Sequence, residues 1–184
     1  MVSKEEKVLE LFFNESSKHW HFEQILKTAK VSRSNALKWL AKLLHEGIIL
    51  RVKPEGRMPY YLGNVKNPTY QNRKKIYALT KLQESGFLDH LTALPARVII
   101  LFGSFARWDW YKESDIDVFI YGNDKELDIA KYETALRREI QVFTIKNDKE
   151  LRKFNPGLLS NIINGYLIKG KIDELLRVKK SATV

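Results

Sequence analysis

The chain has 184 residues and a net charge of +10; 44% of its residues are hydrophobic and 29% are charged, as in an ordinary globular protein of one or two domains. It has no cysteine, which excludes disulfides and thiolate metal sites. No apolar run approaches the ~18 residues that a membrane span needs, and acidic residues directly precede the first apolar stretch, which argues against a signal peptide. We therefore expect a cytoplasmic protein without a membrane partner.

The positive charge is denser per residue in the first half of the chain, where residues 66–96 add 5 basic and 2 acidic side chains to those of residues 1–65. Residues 1–65 carry 11 basic and 7 acidic side chains, an excess of four, whereas residues 97–184 carry 16 and 13, an excess of three over a longer stretch. This balance favours polyanionic partners such as nucleic acids but does not identify one. Lys-rich solvated faces produce the same balance.

The first 65 residues predict three helices. Apolar residues recur at helical spacing in Lys4–Asn14, in Phe22–Ala29 and in a third segment that runs to about Glu46. Ser32 is the expected N-cap of the third helix, and Gly47 suits the left-handed position after its end. The predicted buried face of the third helix consists of Ala36, Leu37, Leu40, Leu43 and Leu44.

Two β-prone runs follow, residues 48–52 and 60–62, around a turn-rich loop, and they predict a hairpin. The order of three helices and a hairpin over residues 4–63 resembles the winged helix-turn-helix family. The resemblance implies that the third helix enters the major groove of double-stranded DNA while the hairpin, the wing, lies against the backbone. It also suggests a homodimer that reads two half-sites.

Polar residues outside the buried face of the third helix, and basic residues of the wing, are the predicted DNA-binding residues. Arg33 and Asn35 suit base edges, whereas the lysines suit phosphates. The alternatives are a solvated helix face and a module that docks another protein. The full predicted set is Arg33, Ser34, Asn35, Lys38, Lys42, Arg51, Lys53 and Arg57.

Residues 66–95 predict a helical connector. Asn67-Pro68 is a helix-start signal, and residues 69–84 contain good helix formers with apolar Ile76, Leu79 and Leu82. Ser85-Gly86 interrupts this helix, and a second short helix ends before Pro95.

From Arg97 the pattern changes to strands. Residues 98–102 form a continuous apolar run, as in a strand buried on both faces, and residues 114–120 are predicted to form a second buried strand. The period of two puts Asp115 and Asp117 on one face of the second strand. Two carboxylates there repel each other unless a cation neutralises them.

This arrangement has a direct chemical reading. Gly103 lets a phosphate approach the backbone, the Ser104 hydroxyl can bond to it, and the following helix start offers free N–H donors. Asp115 and Asp117 supply the hard oxygen ligands that Mg²⁺ or Mn²⁺ prefers, and such an ion bridges to a triphosphate.

The segment GSFARWDWYKESDIDVFI resembles the minimal nucleotidyltransferases of the DNA polymerase beta superfamily, whose pattern is Gly-Ser, about a dozen residues, then Asp-hydrophobic-Asp. The resemblance implies metal ligation by Asp115 and Asp117, and contacts to a nucleoside triphosphate from Gly103, Ser104, Arg107 and Ser114. Members of this group often act beside a separate helical toxin-like chain, which would be another protein here.

The sequence departs from the family pattern at the third carboxylate, which the family places on the next strand, here residues 139–145. The aligned position is Gln141, a neutral amide, while Glu139 shares its face about 7 Å along the strand. We expect Glu139 to serve as third ligand or base; otherwise the domain binds nucleotide without turnover. Trp108 stands where many relatives have a glycine after the arginine, and Trp110 follows it. We expect both rings to pack; the alternatives are stacking on a base and narrowing the mouth of the site.

The sequence therefore predicts an α+β chain of three parts: a winged helix-turn-helix domain in residues 1–65, a helical connector in residues 66–95, and an α/β nucleotidyltransferase domain with a small mixed sheet in residues 96–184. Three functions remain open. They are an active transferase with a DNA-binding domain, a DNA-binding regulator or antitoxin-like protein with a vestigial or nucleotide-sensing fold, and a protein-interaction scaffold.

Overall fold

A computed structural model describes residues 3–151 and 154–175. The chain forms two compact units, Met1–Tyr77 and Ala78–Val184. The division falls inside the segment predicted as a connector. Of the helices described, none combines the length and the apolar composition that crossing a bilayer demands.

The first unit begins with three helices, α1 (Lys4–Asn14), α2 (Phe22–Ala29) and α3 (Arg33–His45). Ser3 caps α1 by accepting a hydrogen bond from the backbone N–H of Glu6, and Ser32 caps α3 in the same way from Asn35. Both caps satisfy an amide that the first turn of a helix leaves unpaired. The predicted cap at Ser32 is confirmed.

The core of this unit contains Phe12, Phe13, Ile25 and Leu40, each at most 1% exposed. Burial of one such side chain contributes about 1.5–3 kcal/mol. The predicted buried face of α3 is wrong at Leu37, which is 54% exposed. Helical spacing gives a broad apolar face, but the partners of α3 cover only part of it.

A hairpin of β1 (Ile49–Val52) and β2 (Tyr60–Gly63) follows α3. Gly47 has a φ of 70°, the left-handed conformation predicted after the helix. Trp20, between α1 and α2, forms an isolated bridge to Tyr61, with two backbone hydrogen bonds of 2.9 Å. This bridge ties the hairpin to the helices.

The predicted connector contains α4 (Pro68–Glu84) and α5 (Phe87–Ala93). The side chain of Asn67 accepts a hydrogen bond from the backbone N–H of Thr69, and Pro68 stands in the first turn of α4, where a missing N–H costs little. Gly86, with a φ of 77°, separates the two helices as predicted. Ile76, which the spacing grouped with the buried residues, is 61% exposed.

The second unit is built on a four-stranded mixed sheet, as predicted. Its remaining elements are β3 (Ala96–Phe102), α6 (Gly103–Arg107), β4 (Ile116–Gly122), α7 (Ile129–Leu136), β5 (Ile140–Ile145), α8 (Asp148–Leu151), α9 (Pro156–Ile163) and β6 (Tyr166–Lys169).

The order of strands in this sheet is β5-β4-β3-β6. β3 is antiparallel to β4 and β6, whereas β4 and β5 are parallel and are connected through α7. The two predicted apolar strands are thus the central pair. Val98, Ile100 and Phe119 belong to its core, beside Ile162 of α9. The ends of β3, β4 and β5 position the candidate site.

Candidate active site

Two carboxylates flank the first residue of a central strand. Asp115 directly precedes β4 and Asp117 is its second residue, while Ile116 and Val118 between and after them are fully buried. Asp115 and Asp117 remain partly exposed. The alternation therefore has the predicted form, with apolar residues in the core and both acids outside it.

Asp117 lies against Gly103, where β3 passes into α6. Gly103 has a φ of 72°, and a Cβ atom added to it would stand 2.0 Å from Oδ2 of Asp117. Phe102, the preceding residue, pairs in register with Asp117. The glycine is required both for its backbone conformation and for the space that the carboxylate occupies. Gly103 of the Gly-Ser turn and Asp117 of the Asp pair therefore lie together.

The electrostatics of this corner favour a cation. Burial raises the pKa of Asp117, the neighbouring carboxylate of Asp115 raises it further, and Arg107 acts in the opposite direction. A raised carboxyl pKa means that the surrounding groups do not fully stabilise the negative charge of the ionised form. A bound cation would remove that cost.

Gln141 occupies the position predicted for the third carboxylate. It pairs with Asp117 in the parallel register of β4 and β5, and its Nε2 donates a 2.6 Å hydrogen bond to Oδ2 of Asp115. Over residues 3–151 and 154–175, the structure contains no group of three His, Cys, Asp or Glu side chains placed to hold a metal ion. Asp115 and Asp117 are the two carboxylates beside Gly103.

Glu139 lies just before β5. Its carbonyl accepts a 2.9 Å hydrogen bond from the backbone N–H of Ile116, and its side chain is exposed. It lines the same cleft as Asp115, with a volume of about 570 Å³. The cleft has walls of both charges, formed by the acids Glu113, Asp115, Glu133 and Glu139 and the bases Lys112, Arg137 and Arg138. The role of Glu139 stays a prediction.

The other predicted nucleotide-binding residues lie nearby in the chain but differ in their contacts. Ser104 is partly buried in α6, and the exposed Arg107 forms an ion pair with Asp109 at 3.3 Å. The hydroxyl of Ser114 accepts a hydrogen bond of 2.9 Å from the backbone N–H of Tyr111. Ser114 therefore closes a turn before Asp115, a structural contact that the sequence did not indicate.

The tryptophans of this segment behave as expected of packing residues. Trp110 is 1% exposed and stacks on Phe105 of α6 with ring centroids 5.3 Å apart. Trp108 has a φ of 61° at the end of α6, and its ring meets that of Tyr166 edge-on at 6.1 Å. These contacts pack the segment between the Gly-Ser turn and the Asp pair against α6 and β6.

Sequence reasoning missed Arg138, which follows α7. One of its nitrogens, Nη1, donates to the carbonyls of Tyr111, Lys112 and Ser114 at 2.7, 2.9 and 2.9 Å. The guanidinium also lies 4.7 Å from the ring centroid of Trp110. Every residue type has a backbone carbonyl, so contacts of this kind cannot be recognised from the side chains in a sequence.

The residues predicted to bind DNA belong to the first unit and divide into two groups. Arg33 forms an ion pair with Glu23 and lies over the ring of Phe22, and Lys42 donates to Glu5 at 2.7 Å, a contact that raises the pKa of Lys42. The hydroxyl of Ser34 lies 3.3 Å from that of Ser32. The remaining side chains are exposed on α3 and the hairpin: Asn35, Lys38, Arg51, Lys53 and Arg57.

One comparison with known proteins gives a residue range, and that range lies within the second unit. The family model described as "Polymerase beta, Nucleotidyltransferase" matches residues 93–174. A toxin-antitoxin crystal structure with AMP-PNP is 18% identical, with a TM-score of 0.37, over 61% of this chain and 87% of that one. A mutant of the toxin-antitoxin complex MntA-HpeT is 13% identical, with the same TM-score, over 59% and 86%. No curated protein sequence matches. Residues 93–174, which contain the mixed sheet, the Gly-Ser turn and the Asp pair, are thus similar to the nucleotidyltransferase domain of the polymerase beta family.

Proposed function

We propose that the second unit transfers a nucleoside monophosphate from a nucleoside triphosphate to a hydroxyl acceptor, with Mg²⁺ or Mn²⁺. The observation that carries the proposal is the place of the Asp117 carboxylate, which takes the space that a Cβ at Gly103 would need, with Asp115 acting on it. This arrangement joins the predicted phosphate-binding turn to the predicted metal ligands.

The residues fit a hard divalent cation. Two partly exposed carboxylates share one end of a strand, and the pKa of Asp117 is raised by burial and by Asp115. Carboxylate oxygens are the ligands that Mg²⁺ prefers, so Asp115 and Asp117 would hold it. When bound, the ion would neutralise the triphosphate and the leaving pyrophosphate.

The chain's own groups have separate tasks in this proposal. The Ser104 hydroxyl hydrogen-bonds the triphosphate, and Arg107, whose charge already acts on Asp117, offsets phosphate charge. Glu139 lines the cleft beside Asp115 and takes the proton of the acceptor hydroxyl, or completes the metal ligands. Gln141 holds Asp115 through its amide.

The test is incubation with each of the common nucleoside triphosphates, labelled at the α-phosphate, with and without Mg²⁺ or Mn²⁺. Acceptors include the protein itself, nucleic acids and small hydroxyl compounds. Metal-dependent release of pyrophosphate together with labelled acceptor is the expected result. Metal-dependent binding without turnover on any acceptor favours the alternative function below.

The alternative is a DNA-binding regulator or antitoxin-like protein whose second unit senses nucleotide. Gln141 favours it, because a neutral amide at the third position leaves the activating metal weakly held. In that case the affinity for nucleotide still requires metal, but Glu139 is dispensable.

For the first unit we propose binding to double-stranded DNA as a winged helix-turn-helix domain. Support comes from the capped helix α3, whose polar side chains Asn35 and Lys38 are exposed, and from the exposed Arg51 and Arg57 of the hairpin. We also propose two partner chains. A second copy of this chain is suggested by the winged helix-turn-helix resemblance, and a separate helical toxin-like chain by the nucleotidyltransferase resemblance.

Salt dependence tests the DNA proposal. If four to six basic residues meet phosphates, a plot of log K against log[salt] has a slope of about −4 to −5. Arg57→Ala, on the hairpin, is expected to reduce that slope by about one and to weaken all duplexes alike. Asn35→Ala is expected to cost about 1–3 kcal/mol on a preferred sequence and little on random DNA. Gel-shift titrations at several salt concentrations measure both effects.

Arg33 forms an ion pair with Glu23, and this pair must break before Arg33 can reach a base. Substitutions of the two partners are therefore expected to have opposite effects on DNA binding. Glu23→Gln is expected to strengthen binding, and Arg33→Ala to weaken it on the preferred sequence. No binding at low salt would instead assign α3 to protein docking. The exposed Leu37, between Asn35 and Lys38, suits that role.

A further inference from the structure

The guanidinium of Arg138 connects the segment before Asp115 with the strand that bears Gln141. A single nitrogen, Nη1, reaches three carbonyls of residues 111–114, at distances of 2.7 to 2.9 Å. Arg138 itself is three residues before Gln141, in the turn between α7 and β5. One side chain thus holds two segments that are 24 to 27 residues apart in sequence.

The segment that Arg138 holds is an irregular connection between two regular elements. Residues 109–115 lie between α6 and β4, outside the helices and strands. Their described backbone contacts include the turn from Ser114 N–H to the Tyr111 carbonyl, at 3.1 Å. The carbonyl of Tyr111 therefore accepts from both Ser114 and Arg138. Asp115 follows this turn directly, so the path of the turn sets where its carboxylate stands.

Arg138 also contacts the packing beneath the Gly-Ser turn. Its guanidinium carbon lies 4.7 Å from the ring centroid of Trp110 and 5.5 Å from that of Phe105, and these two rings stack on each other. Phe105 belongs to α6, which begins at Gly103. The side chain of Arg138 therefore contacts both α6 and the turn before Asp115, and its backbone leads directly into β5.

The hydrogen bonds from one charged nitrogen to three carbonyls both stabilise the segment and restrict its backbone conformation. Charged hydrogen bonds are about twice as strong as neutral ones. Nη1 carries two N–H groups, so at least one of them is shared between two of the three carbonyls, and all three carbonyl oxygens are drawn toward one cation. A misplacement of catalytic groups by about 1 Å can lower the reaction rate on the order of 10²-fold. Groups that orient metal ligands have effects of about 10- to 100-fold on metal affinity.

We propose that Arg138 is a positioning residue, which fixes residues 111–114 so that Asp115 is presented beside Asp117. It acts through Asp115 and does not itself bind the metal. The inference rests on the proposed function, because it assigns Asp115 to the metal.

The experiment compares Arg138→Met, Arg138→Lys and a control, Arg97→Met. Methionine keeps the apolar stem but removes the donors, whereas the lysine ammonium has three donors and can restore contacts made by one nitrogen. Arg97 is a matched arginine near the other end of β3: it donates to the Tyr121 hydroxyl at 3.1 Å, pairs with Glu174 at 3.2 Å and lies over the Tyr121 ring.

Two measurements are made on each full-length variant. Hydrogen exchange, without metal or nucleotide, is expected to accelerate about tenfold or more in residues 109–116 of Arg138→Met, with protection of β3 retained. Calorimetric titration is expected to show that Arg138→Met needs about 10- to 100-fold more Mg²⁺ for the same ATP affinity. Arg138→Lys is expected to recover part of both effects, and Arg97→Met to leave both unchanged.

Unchanged hydrogen exchange in residues 109–116 of Arg138→Met would overturn the inference, regardless of the ATP affinity measured for that variant. So would faster exchange with an unchanged metal requirement, or equal effects in Arg97→Met, which would indicate general destabilisation. If the wild type shows no metal-dependent ATP binding, the proposed function fails. Exchange then still decides whether Arg138 fixes the turn.

Discussion

Asp117→Asn is expected to abolish metal-dependent nucleotide binding, lowering ATP affinity in Mg²⁺ by at least about 100-fold. The amide is nearly isosteric with the carboxylate, so it still fits against Gly103, but it lacks the charge that compensates a divalent cation. Isothermal calorimetry with ATP, at fixed Mg²⁺ and in chelator, measures the change. Equal ATP affinity in wild type and variant would remove Asp117 from the site.

Asp128→Asn is the matched control for this substitution. It removes one negative charge from the same unit, but Asn caps helices as well as Asp does, and the cap contact of Asp128 to the N–H of Lys131 can persist. We expect nucleotide affinity close to that of the wild type. A comparable loss in both variants would attribute the effect to net charge.

The same Asp117→Asn change is expected to stabilise the metal-free protein. Because burial and Asp115 raise the folded-state pKa of Asp117, the folded form retains its proton to higher pH than the unfolded form does. Stability is therefore lost as pH rises from the ordinary carboxyl range through the raised pKa. Above that range the variant is expected to melt at a higher temperature than the wild type, and at low pH the difference is expected to vanish.

Glu139→Gln is expected to lower transferase turnover on the order of 10²-fold or more, while ATP binding is nearly kept. The side chain lines the cleft beside Asp115, and a base acts only when the acceptor hydroxyl reacts. Pyrophosphate release, measured alongside ATP affinity, separates the two effects. Unchanged turnover would exclude Glu139 from the mechanism.

Gln141→Glu is the complementary variant. It places a carboxylate in register with Asp117, in contact with Asp115, where the wild type has an amide donor. We expect higher metal affinity and lower stability without metal, because three carboxylates then repel one another. A fall in metal affinity would show that position 141 does not face the ion.

The sequence allowed the centre of the second unit to be predicted well. The apolar runs around Ile100 and Val118 are strong signals, because a strand buried on both faces admits few polar residues, and Asp115 and Asp117 stand out against them. The alignment of Gln141 with the Asp pair also holds in the register of β4 and β5. The hydrogen bond from Gln141 to Asp115 was not predictable, because it depends on side-chain rotamers.

Other features could not be predicted, for identifiable reasons. Leu37 and Ile76 have the spacing of buried residues, yet exposure depends on which neighbours cover each helix. Arg138 contacts backbone carbonyls far away in sequence, and any residue types could carry those carbonyls. Neither kind of information is present in local periodicity.

The contact between Gly103 and Asp117 makes the two positions thermodynamically coupled. Since a Cβ at position 103 would overlap Oδ2 of Asp117, a side chain there displaces the carboxylate even though no functional atom of Gly103 is lost. Substitutions at the two positions therefore remove the same arrangement, and their free-energy effects on nucleotide binding do not add. A smaller residue at position 117 would make room for a side chain at position 103, but the left-handed backbone of Gly103 would still be strained by it.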